Sequence, residues 1–166
     1  MEPHERKFLI TELQRIELTN RSVFIKDIEI EQFHKDEYKY RHAEEWWLDE
    51  NRKPVTKEYR VRYNRIGNNL YKHEITEDEW KELSAGHALI NKDRSCRKDD
   101  EWDYDIDVFY EPKNFIMVEV SREGKNCMDF KAPLGWKEVT EDPKYKNSNI
   151  EKGSLDYEDL DPYSQT

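Results

Sequence analysis

The sequence predicts a mainly β domain of the α+β kind, an antiparallel eight-stranded tunnel or barrel closed on itself with a few short helices. Three observations predict it. Many segments alternate in polarity with a period of two, as half-buried strands do. Turn signals fall between them, and only one segment carries a clear helix start. The aromatic content, 10 Tyr, 6 Phe and 5 Trp, is enough to build a core although only 35% of residues are apolar and 40% are charged.

In chain order, Glu5 to Ile10 forms the first alternating run, followed after a polar stretch by Ser22 to Phe33, Tyr38 to Glu44 and Glu58 to Tyr63. Gly67-Asn68-Asn69 supplies a turn that tolerates positive φ, so Leu70 to Ile75 is expected to pair back as a hairpin. Thr76-Glu77-Asp78-Glu79 reads as a capping box that opens a short helix, with Trp80 and Leu83 on one side and Gly86 as its stop. Ala88 to Cys96, Trp102 to Tyr110 and Phe115 to Ser121 complete the strands, the last two joined through Glu111-Pro112-Lys113-Asn114. About eight such strands bury their apolar sides best in a closed barrel. Residues 1–152 are expected to form this single domain. The acidic stretch 153–166, which contains Gly, Ser and Pro, is expected to be a loose tail.

The balance of 38 acidic against 28 basic residues, a formal net charge of −10, argues against general affinity for a nucleic-acid polymer. No stretch has the apolar length of a membrane span, and the N-terminus lacks the features of a signal peptide, so a cytoplasmic protein without membrane partners is expected. Cys96 and Cys127 fit neither a disulfide framework nor a zinc site and are expected to be reduced thiols. The five histidines have no ligand spacing, and five glycines leave no phosphate-binding Gly-rich loop. Trp46-Trp47 is read as one core and one rim residue, the alternative being a partner-binding patch.

Residues two apart on a strand point the same way, and many such pairs here are charged. They are Glu5 and Lys7, Lys39 and Arg41, Arg60 and Arg62, Lys72 and Glu74, Lys92 and Arg94, and Asp105 and Asp107. On Phe115 to Ser121, Glu119 shares a face with Met117 and Ser121, opposite the apolar Ile116, Val118 and Val120. If these charged faces line one interior, the cations there call for an anion. A polyphosphate, held by charge-assisted hydrogen bonds and helped by a divalent metal on the carboxylates, is the expected ligand. The same pattern is also what ordinary solvent-facing strands would show.

Four motifs in order carry a family resemblance. They are Glu5-Arg6-Lys7-Phe8-Leu9, Ile90-Asn91-Lys92-Asp93-Arg94, Asp105-Ile106-Asp107-Val108-Phe109 with Val118-Glu119-Val120, and Trp136 to Thr140 running on through Lys144 to Asn149. The chain resembles the CYTH superfamily of triphosphate tunnel metalloenzymes from Glu5 to about Ile150. That resemblance implies a β-tunnel in which Lys7, Arg41, Lys92 and Arg94 bind phosphate. It implies further that Glu5, Glu74 and Glu119 hold Mg²⁺ or Mn²⁺, and that Asp107 is an additional acidic tunnel residue. Lys39, Arg60 and Arg62 are added to the phosphate set, Asp107 to the metal set, and Lys92, Arg94 and Asp107 are the candidate catalytic residues.

The sequence also departs from the family pattern. Pro3 replaces the first Glu of the Glu-x-Glu-x-Lys opening, and Ser121 stands where a second acidic residue usually follows the Glu119 position. Lys72 occupies another commonly acidic position, and Arg62, or equally Arg60, stands in place of the lysine of a Thr-x-Lys strand. The cationic half of the site is kept and the anionic half is thinned. The expected function is triphosphate or nucleotide binding with slow metal-dependent triphosphate hydrolysis. The alternatives are a catalytically degenerate nucleotide-sequestering protein, or an interaction or inhibitor protein acting through its acidic surface.

Overall fold

The computed structural model describes residues 4–124 and 126–162, so Pro3 and residues 163–166 lie outside the described residues. The chain runs β1 (Glu5–Ile10), α1 (Glu12–Asn20), β2 (Val23–Lys35), β3 (Tyr38–Leu48), β4 (Pro54–Ile66), β5 (Asn69–Glu74) and α2 (Glu77–Ser84). It continues through β6 (Ile90–Lys98), β7 (Asp103–Glu111), β8 (Phe115–Ser121), β9 (Lys137–Glu138) and α3 (Asn147–Glu151), with 3₁₀ turns at Pro143–Tyr145 and Tyr157–Leu160. The strands form one antiparallel sheet in the order β5-β4-β3-β2-β6-β7-β8-β1-β9.

The sheet has nine strands rather than the eight expected, the ninth being a two-residue pairing with β1. It also does not close. Among the described residues β5 and β9 are edges with no ladder between them, so hydrogen bonds do not close the sheet into the expected barrel. That sheet is nonetheless curled. On a flat sheet β3 and β8, four strands apart, would stand about 19 Å from each other. The Lys39 ammonium on β3 nevertheless feels the charges of Arg94 on β6 and Glu119 on β8.

Two local features went beyond the periodicity. Helix α1 starts at a capping box in which Thr11 Oγ1 accepts from Gln14 N and Gln14 Oε1 accepts from Thr11 N. The β2–β3 hairpin turns through Asp36 and Glu37, both at positive φ, the geometry of a two-residue primed turn built here without glycine. The β4–β5 hairpin turns at Gly67, φ +61, as its sequence indicated.

Both faces of the sheet are covered in part. On the outer face, Phe8, Ile10, Tyr104, Ile106, Val118 and Val120 pack beneath Leu18 of α1 and the loop residues Cys127 and Phe130. Farther along that face, α2 sets Trp80 against Phe33 and Tyr40. On the inner face, Leu9, Ile90, Phe109, Phe115 and Met117 are sealed by Val139, Tyr145, Ile150 and Leu155 of the C-terminal segment. Through residue 160 the acidic stretch is therefore packed rather than loose. Leu155 is 2% exposed, and the Tyr145 hydroxyl donates to the Asp159 carbonyl at 2.6 Å. No described helix is long and apolar enough to cross a membrane.

Because Leu155 closes this end of the inner face, Leu155→Ala is expected to cost about 2–5 kcal/mol of unfolding free energy in urea titrations. A solvent-exposed tail residue would change stability by no more than a few tenths.

Candidate functional site

Strand register decides which charges meet. Lys7 lies directly opposite Glu119, Glu119 opposite Asp105, Asp105 opposite Cys96 and Arg94 opposite Asp107. On the other half of the sheet Gln32 opposes Arg41, and Lys39 opposes Tyr63, which opposes Lys72. Ladder neighbours point to the same side. The inner face therefore carries Glu5, Lys7, Lys39, Arg41, Lys72, Glu74, Lys92, Arg94, Asp105, Asp107 and Glu119, with Gln32 and Tyr63 among them.

At its centre is a buried cluster of three charges. Arg94 donates to Asp107 through Nε and Nη2 at 2.7 and 2.9 Å, and Lys92 Nζ lies 2.9 Å from Asp107 Oδ2. The Lys92 and Asp107 side chains are 0% and 1% exposed. Burial alone would raise the Asp107 carboxyl, but the Arg94 and Lys92 charges outweigh it and hold that carboxyl well below the usual carboxylate range. Burial lowers the Lys92 ammonium, with Asp107 opposing it in part.

Around this cluster the cations outnumber their partners. Lys7 Nζ stands 4.0 Å from Glu119 Oε1, a loose pair. Lys39 has no carboxylate partner; its Nζ sits 4.7 Å above the Tyr63 ring, which also faces Arg41 at 5.6 Å and Lys72 at 5.8 Å. Burial, then the neighbouring Arg41, Lys92 and Arg94 charges, bring the Lys39 ammonium down to about 7. Three buried donors on this face, Gln32 Nε2, Arg41 Nε and Lys92 Nζ, make no hydrogen bond, although Lys92 Nζ keeps its 2.9 Å ion pair with Asp107.

The carboxylates gather at the β1–β8–β7 side. Burial, then the Glu119 charge, raise the Glu5 carboxyl against the pull of Lys7. Burial likewise raises Asp105, opposed by Arg94 and reinforced by Asp107 and Glu119. Cys96, opposite Asp105, is pushed up to about 12 by burial and by that carboxylate, so it is an inert thiol.

Two of the expected phosphate ligands are not on this face. Arg60 and Arg62 point to the outer side, Arg60 pairing with Glu58 at 3.2 Å and Arg62 lying over the Tyr38 ring at 4.6 Å. Strand β4 turns Tyr59, Val61 and Tyr63 inward, and period two then sends both arginines out. Glu74 shares the inner face but is exposed on edge strand β5, opposite Val61. Asp107 already gives both oxygens to Lys92 and Arg94. Among the described residues no three His, Cys, Asp or Glu side chains form a metal-holding group. Two residues went unread in the sequence, Gln32, signalled by its place in phase with Ile28 and Ile30, and Tyr63, signalled by its alternation with Val61; Asp105 was paired with Asp107 there but given no role of its own.

No protein-family model and no curated protein matches the chain. Among solved structures, two crystal structures of NE1496 are similar. One, described as a hypothetical protein, has a TM-score of 0.53 at 21% identity over 88% of this chain and 95% of that one. The other, described as an inorganic triphosphatase, has a TM-score of 0.54 at 19% identity over 88% of this chain and 91% of that one. This chain has the fold of NE1496. The likeness agrees with the family resemblance seen in the sequence.

Asp107 is what makes the two buried cations tolerable. Asp107→Asn is expected to lower unfolding free energy by about 3–5 kcal/mol, because it strips two buried cations of their counter-charge. Chemical denaturation at neutral pH measures it, and a loss under about 1 kcal/mol would show that the cluster is solvated.

Proposed function

We propose that the inner face binds a triphosphate, free or as part of a nucleotide, through Lys7, Lys39, Arg41, Lys92 and Arg94. We propose further that it hydrolyses the triphosphate slowly with the help of Mg²⁺ or Mn²⁺. One observation carries the reading: the buried donors Gln32 Nε2, Arg41 Nε and Lys92 Nζ lack acceptors on a face crowded with cations. Buried donors are normally satisfied, and a polyphosphate offers acceptor oxygens and neutralising charge together. NE1496, described as an inorganic triphosphatase, lends the fold-level support.

For a metal, the carboxylates nearest by register are Glu119 and Asp105, directly opposed, with Glu5 diagonal to them; the free protein does not draw the three into a metal-holding group, while Glu74 is exposed and Asp107 is already paired. Hard carboxylate oxygens suit either cation. A divalent ion bound there would polarise a phosphoryl oxygen and help orient water. The chain's own residues supply the rest. Lys92 and Arg94, partly neutralised by Asp107, would bind phosphoryl oxygens, and Lys39 would take or give a proton near neutral pH.

Ser121, directly opposite Glu5 in register, favours a second reading in which the phosphate is held but not turned over. Its hydroxyl sits where a carboxylate would complete the metal set.

Inorganic triphosphate at about 100 times its Kd is expected to stabilise the fold by about 2.7 kcal/mol, read as a thermal shift. Arg41→Met should weaken binding by roughly 10- to 100-fold, while Arg62→Met, on the outer face, should leave it unchanged. Phosphate release requiring Mg²⁺ or Mn²⁺ and abolished by Glu119→Ala selects hydrolysis; a thermal shift without release selects binding alone. No shift with any polyphosphate would rule out both.

The Lys39 ammonium sets a pH dependence. Its folded value, about 7, lies below its unfolded one, so the unliganded protein gains stability as pH rises from about 7 toward 10.5. A bound phosphate favours the protonated amine, so binding above pH 7 takes up a proton. Triphosphate affinity is therefore expected to fall between pH 7 and 9, and Lys39→Arg should flatten that fall in calorimetric titrations.

A further inference from the structure

The Gln32 carboxamide is 0% exposed and in the middle of the sheet. Its Oε1 accepts from Arg41 Nη2 at 3.2 Å. A guanidinium has only donors, so this contact fixes the amide with its oxygen toward Arg41 and its nitrogen away. That nitrogen meets no acceptor. Gln32 lies between Arg41 on β3 and Ile90 on β6, while Ile28 and Ile30 share its face along β2, so the sheet itself supplies nothing for the amide N–H to bond. A buried donor left this way is costly to the free protein.

Two further orphaned donors come from the flanking strands, Arg41 Nε on β3 and Lys92 Nζ on β6. Lys92 is in ladder register with Ile30, one inner-face position along β2 from Gln32, which makes it a diagonal neighbour of the amide. Three adjacent strands thus present three donors without a hydrogen bond, Lys92 keeping N–H groups beyond its one ion pair with Asp107, which suits an oxyanion with oxygens in several directions. Burial first, and then the Arg41, Lys92 and Arg94 charges, lower the Lys39 ammonium, so a further cation here would add repulsion. A neutral amide adds a hydrogen bond there without adding another like charge.

We infer that Gln32 is a phosphate-binding residue whose Nε2–H donates to a phosphoryl oxygen held between Arg41 and Lys92. This rests on the triphosphate reading above and adds to it a buried neutral donor.

The test uses the full chain, with inorganic triphosphate as the probe. Gln32→Glu keeps an acceptor for Arg41 and replaces the donor with a second acceptor of the same shape. The unliganded variant is expected to melt at or above the wild-type temperature, with triphosphate affinity lowered on the order of 100-fold. Gln32→Met removes the donor without adding charge and should bind roughly 10-fold more weakly. Wild-type affinity in both variants would overturn the assignment. So would a marked loss of unliganded stability in Gln32→Glu, which would mark the amide as a structural group. A wild-type protein that triphosphate does not stabilise would instead remove the phosphate site as a whole, and this assignment with it.

Discussion

The inner face is organised around one carboxylate. Asp107, buried in the sheet, takes a bidentate pair from Arg94 and faces the Lys92 ammonium. Desolvating three charged groups is expensive, and the attraction within the group offsets it only where the geometry is good. The geometry is good because the strands deliver it, with Arg94 and Asp107 directly opposed in the ladder and Lys92 one inner-face position along β6. The cluster leaves a net positive charge inside the sheet, and the surrounding Lys7, Lys39 and Arg41 add to it with little compensation.

Such a face is poorly satisfied by itself, and that is consistent with a site built for something the chain does not contain. Orphaned donors and a lysine drawn down to about 7 are costs to the free protein. Strain and unmet polar groups of this kind are common where function, rather than stability, shapes a position. The acidic side differs. Glu5, Asp105 and Glu119 are neighbours by register where Ser121 adds no further negative charge, and burial raises the Glu5 and Asp105 carboxyls.

Much of this was legible in the sequence because side-chain direction in a strand follows a period of two. The alternation of Glu5 with Lys7, Lys39 with Arg41, and Lys92 with Arg94 put those groups on common faces, and the register brings the faces together. Period two does not say which side is inner, and the Tyr59 to Tyr63 segment alternates equally well either way. The tyrosines took the inner face, and Arg60 and Arg62 went out. Helix α1 carried its own signal, the Thr11 to Gln14 capping box, in a stretch too polar to draw attention. Sheet closure and the docking of residues 153–160 depend on tertiary packing of a few apolar groups such as Leu155, which composition averages away. Gln32 looked like an ordinary polar residue because its meaning lies in what surrounds it.

The turn at Asp36 and Glu37 matters beyond its local shape. It fixes how 13 residues of β2 lie against 11 of β3, so that Gln32 meets Arg41 and His34 meets Lys39. Lengthening or shortening that loop by one residue would invert every side chain of one strand relative to the other. Lys39 and Arg41 would then turn to the outer face, Tyr40 and His42 would turn inward, and two residues at the hairpin tip would have decided which charges meet inside the sheet.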